Sequence, residues 1–139
     1  MKRTDKAYKN YVSILNEELL PAMGCTEPVA VAYAAAKGRE VLGCLPERCT
    51  LYVSGNIIKN VKSVVVPNTG GLKGLKAAAA AGIVVGKAEL QMSVVAETKP
   101  EEIPGIQKYI DEHEIQIGRK EGDSALYIEV LLELSLIHI

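Results

Sequence analysis

Apolar residues near the N-terminus recur every three or four positions, which is the spacing of one face of an α-helix. The pattern runs from Thr4 to Leu20, and it is followed by Pro21, which cannot continue a helix. The sequence therefore predicts an amphipathic helix over residues 4–20, with an apolar face formed by Tyr8, Tyr11, Val12, Leu15 and Leu19.

The next run, Val29–Ala36, is apolar nearly all round and predicts a buried helix. We expect this helix to begin near residue 25, because Glu27 and Pro28 suit a first turn, where backbone N–H groups lack partners inside the helix. Gly43 and Pro46 mark its end.

The spacing of apolar residues then changes. Thr50–Ser54 and Val61–Val66 are rich in β-branched residues and are predicted strands. Pro67–Gly71 has the composition of a turn, and Leu72–Val85 predicts an Ala-rich helix. The consecutive alanines Ala77–Ala81 would let another backbone approach that helix closely.

The last third of the chain predicts one helix and two strands. Thr98 and Glu101 resemble a capping box for a helix that ends just before the next strand. Glu114–Arg119 and Ala125–Leu132 are predicted strands, and the turn around Gly122 between them is a hairpin signal.

These elements predict a mixed α/β (α+β) fold, in which Ala-rich buried helices pack on a small mixed sheet of about four to five strands. The chain has 139 residues, 48% of them apolar, which fits a single domain over residues 1–133. Residues 134–139 are strongly apolar. They form either an edge strand or oligomer contact, as in a homodimer, or a non-native tail.

Charge and cysteine content exclude several classes of function. Lys and Arg total 16 against 17 Asp and Glu, so we expect no nucleic-acid partner and no anionic membrane surface. No apolar run approaches the roughly 20 residues of a membrane span. The polar N-terminus does not resemble a signal peptide, and three cysteines without a sign of secretion favour the cytoplasm.

Cys25 is the first candidate for chemistry. A cysteine where a buried helix begins experiences the positive end of the helix dipole and unpaired N–H groups, and both favour the thiolate. Glu27 could act at a substrate as a second acid or base, or it could simply complement the dipole. The alternative for Cys25 is an inert, buried side chain.

The second candidate is the segment Ser54–Asn60, which follows a predicted strand. It places a hydroxyl, two amides and an ammonium group within seven residues, on Ser54, Asn56, Lys59 and Asn60. Such a set can hold the carboxylate and amine of an amino acid. The alternative is a polar loop that hydrogen-bonds its own backbone.

The third candidate is Pro67–Gly74, a glycine-rich turn between a predicted strand and a predicted helix. Unpaired N–H groups at such a point can bind a carboxylate or phosphate. The turn is not a Walker A loop, and it lacks the dinucleotide-binding glycine pattern. A turn with a purely structural role is the alternative.

The remaining sulfur and imidazole groups are weak candidates. Cys44 and Cys49 have no accompanying cluster that would complete a zinc site, and we interpret both as structural. His113 lies between two glutamates and is interpreted as a solvated residue.

Taken in order, Gly24–Ala32, Ser54–Asn60 and Pro67–Gly74 resemble the L-cysteine desulfidase family, which is related to the α part of iron–sulfur L-serine dehydratases. Weaker similarity continues through Leu126–Val130. Members of that family are roughly three times as long as this chain, which resembles their N-terminal third.

The resemblance implies a β-elimination in which L-cysteine loses its α-proton and then sulfide, and the aminoacrylate product becomes pyruvate and ammonia. The family uses a [4Fe-4S] cluster rather than pyridoxal phosphate, with one iron acting as a Lewis acid. By this likeness Cys25 is the base or a thiolate facing the cluster, and Asn68, Thr69 and Gly70 bind the carboxylate. The rest of the substrate is oriented by Glu27, Ser54, Asn56, Lys59 and Asn60.

The family's cluster-binding cysteines lie in a C-terminal part that this chain lacks. We therefore expect the ligands of the cluster to lie outside this chain, no metal site within it, and little activity of the chain alone. An iron–sulfur L-serine dehydratase-like deaminase is the alternative enzyme. The alternative of another class is a non-catalytic domain that binds an anion or amino acid, or a partner.

Overall fold

The computed structural model describes residues 26–122 and 126–134. The predicted helix over residues 4–20, Cys25 and the end of the chain from residue 135 lie outside this part. The helices and strands in chain order are α1 (Thr26–Leu42), β1 (Arg48–Val53), α2 (Gly55–Val61), α3 (Gly74–Val85), α4 (Ile103–Glu112), β2 (Glu114–Arg119) and β3 (Ile128–Glu133). Short 3₁₀ turns at Ala88–Ser93 and Pro100–Glu102 precede α4.

The mixed α+β class is confirmed, and within the described residues the sheet has three strands rather than four or five, in the order β2-β1-β3. The central strand β1 pairs in parallel with β2 and antiparallel with β3. Its side chains Cys49, Leu51 and Val53 are fully buried beneath the helices, and this explains why β1 takes the centre of the sheet.

The predicted hairpin between the last two strands is wrong, because β2 and β3 lie on opposite sides of β1. The chain leaving β2 crosses the carboxyl end of β1 instead. There the Lys120 N–H donates to the Val53 carbonyl at 2.8 Å, and the Ser54 N–H donates to the Tyr127 carbonyl at 3.0 Å. Pairing with the buried strand β1 on both sides outweighs the local turn signal.

The predicted strand over Val61–Val66 is also wrong. Val61 ends helix α2, and Val65 forms only an isolated bridge with Lys73. Ile57 and Val61, four residues apart, are both buried, so this segment places its apolar residues on one face of a helix. Tertiary burial has overridden the β-propensity of the valines.

Helices α1 and α3 pack with their backbones in close contact, as the run of alanines predicted. A methyl group on Gly82 would overlap the Ala32 carbonyl oxygen, and one on Gly86 would lie 2.8 Å from the Ala36 Cβ. From the first contact to the second, the residue number rises by four in both segments, from Ala32 to Ala36 and from Gly82 to Gly86. Helices α1 and α3 therefore run in the same direction.

The three long helices all begin at the end of the sheet where β1 and β2 finish. A methyl group on Gly38, late in α1, would lie 3.0 Å from Leu132 Cδ1, and Leu132 pairs with Cys49 near the start of β1. Late in α4, the Tyr109 hydroxyl donates to the Pro46 carbonyl at 2.9 Å. Since α3 runs parallel to α1, the starts of α1, α3 and α4 lie at the carboxyl ends of the parallel strands.

Several local predictions are refined by the structure. The helix start predicted at Thr98 and Glu101 forms one residue later, where the Lys99 N–H donates to Glu102 Oε1 at 3.0 Å. His113 is not simply solvated, because its ring stacks on Tyr109 with centroids 4.2 Å apart. In the part of the chain described, no helix combines the length and apolar character that crossing a bilayer requires.

Gly82→Ala is predicted to lower the free energy of unfolding by about 3 kcal/mol or more, because the added Cβ forces α1 and α3 apart. Gly105→Ala in α4 is the matched control. Its Cβ would only touch Val84 Cγ1 at 3.7 Å, so the better helix propensity of alanine is expected to add up to about 1 kcal/mol. Urea unfolding of both variants measures the difference, and equal stabilities would contradict the close helix contact.

Cys44 and Cys49 are predicted to differ sharply in reactivity. Cys44 is exposed, whereas Cys49 is buried and desolvation raises the pKa of its thiol to about 11. In a Cys25→Ala background at pH 8, a disulfide reagent such as DTNB is expected to modify one thiol in the native protein and a second only after unfolding. Adding Cys44→Ser removes the fast reaction, and a fast second thiol would show that Cys49 is accessible.

Candidate functional site

The candidate site lies at the carboxyl ends of the parallel strands β1 and β2. In open α/β sheets, ligands bind in the crevice beyond these ends. Thr26, the residue after Cys25, begins α1 here, and α2 follows β1 at the same end. Cys25 itself lies outside the described residues, and the next residue, Thr26, is the first residue of a helix that begins at this end of the sheet.

The segment Ser54–Asn60 is a helix rather than a loop, because Gly55–Val61 forms α2. Asn56, Lys59 and Asn60 are exposed on this helix, opposite its buried residues Ile57 and Val61. Three of the polar residues predicted to orient a substrate therefore share the solvent-facing side of one short helix.

Ser54 has a different environment from the other three. It is 3% exposed, and its hydroxyl oxygen accepts a hydrogen bond from the Tyr127 N–H at 3.2 Å. The backbone of Ser54 also donates to Tyr127. Ser54 therefore ties the end of β1 to the residue that precedes β3, which is a structural role at the edge of the site.

Glu27 and Asn60, far apart in sequence, meet at this crevice. Asn60 Nδ2 donates to Glu27 Oε1 across 3.4 Å, which is a long hydrogen bond. This contact joins the first turn of α1 to the last turn of α2. It brings two predicted substrate-binding residues together, and one of them, Glu27, is two positions from Cys25 in the sequence.

The turn over Pro67–Gly71 forms as predicted, and the side chains of Asn68 and Thr69 are engaged within the protein. Asn68 Nδ2 donates to the carbonyls of Val95 at 3.3 Å and Ala96 at 3.2 Å. The Thr69 hydroxyl, which is 1% exposed, donates to the Val66 carbonyl at 2.6 Å. These two side chains hold the turn in place, as the structural alternative expected.

Gly70 shapes the turn through its backbone. Its φ of 70° lies in the left-handed region, as does the φ of 57° at Asn68, which favours glycine and tolerates asparagine. No backbone N–H of residues 68–71 donates to a main-chain oxygen within the described ranges. The main-chain N–H groups of this turn are therefore left without a main-chain partner in that part of the chain.

Arg119 is a residue of this region that the sequence pattern did not single out. It ends β2, and its guanidinium lies over Gly55: a methyl group there would be 3.1 Å from Nη2, 3.2 Å from Nε and 3.3 Å from Cζ. The signal in the sequence was its position, because it is the last residue of a correctly predicted strand.

The described cysteines do not fit a [4Fe-4S] cluster, which four cysteine thiolates normally hold. Cys49 is buried with a raised pKa, and Cys44 lies before β1, at the opposite end of the sheet from the crevice. Among residues 26–122 and 126–134, no three His, Cys, Asp or Glu side chains are grouped to hold a metal ion.

The chain is similar to several bacterial proteins named UPF0597 protein. It is 51% identical over 134 residues to the one from Desulfitobacterium hafniense (strain Y51), covering 96% of this chain and 31% of the relative. The one from Finegoldia magna is 47% identical over 125 residues, or 90% of this chain and 30% of that protein. The one from Treponema denticola is 41% identical over 128 residues, which is 92% of this chain and 30% of that protein.

The chain thus spans somewhat under a third of the length of these curated relatives. Their shared name specifies neither an activity nor a substrate. No protein-family model matches the chain, and no solved structure matches it significantly.

Proposed function

We propose that this chain is the N-terminal, substrate-binding part of a cytoplasmic lyase that converts L-cysteine to pyruvate, sulfide and ammonia. The proposal starts from the likeness of its three motifs to the L-cysteine desulfidase family. The observation that carries it is the contact between Glu27 and Asn60. That contact joins the helix start next to Cys25 to the polar face of α2 at the carboxyl ends of the strands.

The reaction is a β-elimination. A base removes the α-proton, the electron pair of the Cα–H bond forms the Cα–Cβ double bond, and the Cβ–S bond breaks to release sulfide. Aminoacrylate then tautomerises to the imine, and water hydrolyses the imine to pyruvate and ammonia. In our proposal Cys25, as a thiolate favoured by the start of α1, takes the α-proton.

The polar groups around Cys25 have separate roles in this proposal. The Glu27 and Asn60 pair, with Asn56 on the same helix, contacts the amine, and Lys59 helps to orient the rest of the substrate. The turn at Gly70 offers main-chain N–H groups to the substrate, held by the internal hydrogen bonds of Asn68 and Thr69. Ser54, which precedes α2, holds the start of this helix in place by accepting a hydrogen bond from the Tyr127 N–H.

The remaining part of the protein is a partner in this proposal. Because the chain covers about a third of its relatives, and the described cysteines Cys44 and Cys49 do not fit a cluster, we infer that the missing part contributes the metal chemistry and encloses the crevice. An L-serine deaminase and a non-catalytic amino-acid-binding domain are the alternatives that an activity assay separates.

The full-length protein, purified without oxygen, is expected to release sulfide and pyruvate from L-cysteine in equal amounts. Cys25→Ala is expected to lower kcat at least about a hundredfold, because a positioned base contributes at least that much. Cys44→Ala is the matched control, since Cys44 lies at the opposite end of the sheet, and it is expected to retain full activity. Sulfide and pyruvate assays measure all three proteins.

Three outcomes of this assay would contradict the proposal. Pyruvate from L-serine but no sulfide from L-cysteine would favour the deaminase. Binding of L-cysteine without any turnover would favour the binding domain. Full activity of Cys25→Ala would remove Cys25 from the chemistry. Residues 1–133 alone are expected to be inactive in the same assay.

A further inference from the structure

We propose that Arg119 binds the carboxylate of the substrate. This inference rests on the proposed function, since it names a recognition group for the same crevice. It assigns the carboxylate to the carboxyl end of β2, in addition to the turn at Gly70 that the family resemblance suggested.

The position of Arg119 follows from the register of the sheet. Arg119 pairs with Val53, the last residue of β1, so its side chain leaves the sheet at the carboxyl ends of the parallel strands. Gly55, the residue beneath the guanidinium, lies between Ser54 and Asn56, both of which belong to the candidate site. The charge therefore lies beside the first residue of α2, next to the candidate site.

The chemistry of the guanidinium suits carboxylate recognition. A methyl group on Gly55 would lie 3.1 Å from Nη2, 3.2 Å from Nε and 3.3 Å from Cζ, so the guanidinium packs closely on this residue. The N–H groups of arginine lie in one plane, and such a planar group can bind both oxygens of a carboxylate. The absence of a side chain at residue 55 permits this packing.

The charge of Arg119 is not neutralised within the described part of the chain. No carboxylate there lies within ion-pair distance of Arg119, whereas Arg48, at the other end of the same strand pair, is 3.9 Å from Glu114. The neighbouring charge, the Lys120 ammonium, is positive and lies 5.4 Å from the centre of the Tyr127 ring. An anion is the complementary ligand for this corner of the crevice.

The test measures binding in the full-length protein carrying Cys25→Ala, which prevents turnover. Calorimetry compares L-cysteine with 2-aminoethanethiol, which has the same amine and thiol but no carboxylate. Arg119→Gln is expected to weaken L-cysteine binding about 10- to 100-fold, as expected for loss of hydrogen bonds to a charged group. Its effect on 2-aminoethanethiol is expected to be less than about twofold. Arg48→Gln, the matched control, is expected to change neither affinity.

Gly55→Ala provides a second variant that keeps the arginine. Its Cβ would lie 3.1 to 3.3 Å from the guanidinium and forces that group to shift slightly, so it is expected to weaken L-cysteine binding selectively and by less than Arg119→Gln does. Combining it with Arg119→Gln is expected to add little further loss, because both changes remove one interaction. Unchanged L-cysteine affinity in Arg119→Gln, or an equal loss for both ligands, would overturn the proposal.

The result is separable from the proposed reaction. If the unsubstituted protein releases no sulfide but Arg119→Gln selectively weakens L-cysteine binding, the reaction is wrong and Arg119 is still the carboxylate group. If sulfide is released and Arg119→Gln binds L-cysteine normally, only the assignment of Arg119 fails. Failure of the protein to prefer L-cysteine over 2-aminoethanethiol would overturn the assignment as well.

Discussion

The contact between the backbones of α1 and α3 is the constraint on which the rest of the structure depends. Gly82 lies directly against the Ala32 carbonyl group, and no larger residue fits there. Apart from Tyr109, the buried core of the described residues consists of small and aliphatic side chains, and the chain has neither Phe nor Trp. Close approach of two Ala-rich helices therefore replaces the volume that aromatic side chains fill in other cores.

This contact also determines where the polar groups collect. Parallel packing of α1 and α3 places their first turns at one end, and the sheet presents the carboxyl ends of β1 and β2 at the same end. The connection after β2 crosses there too, through the hydrogen bonds of Lys120 and Tyr127. Residues distant in sequence, such as Glu27 and Asn60, consequently come into contact.

The sequence predicted those helices and strands whose signal lies in neighbouring residues. It missed the pairing of segments that are distant in the sequence. The helix spacing around Val29–Ala36, the alanine run and the strand Glu114–Arg119 were each predicted close to their observed bounds. Val61–Val66 was predicted as a strand because β-branched residues carry a β signal, but burial of Ile57 and Val61 on one face makes their segment helical. Gly122 gave a hairpin signal, yet the buried strand β1 was the better partner for both neighbouring strands. Of the candidate site, the segments were predictable from composition. The sequence placed Arg119 only at the end of a strand, whereas its contact with Gly55 depends on the pairing of β2 with β1.

The turn at Gly70 shows why residue type alone does not identify a ligand-binding group. Asn68 and Thr69 are polar and adjacent to glycine, and the same features suit both carboxylate binding and the stabilisation of a turn. In the structure, both side chains donate hydrogen bonds to main-chain carbonyl groups of the protein. What remains at the turn is main-chain N–H, which carries only partial positive charge, whereas a zwitterionic amino acid presents a full negative charge. A guanidinium at the end of the adjacent strand supplies the missing full charge, and this is why we assign the recognition of the carboxylate to Arg119 as well as to the turn.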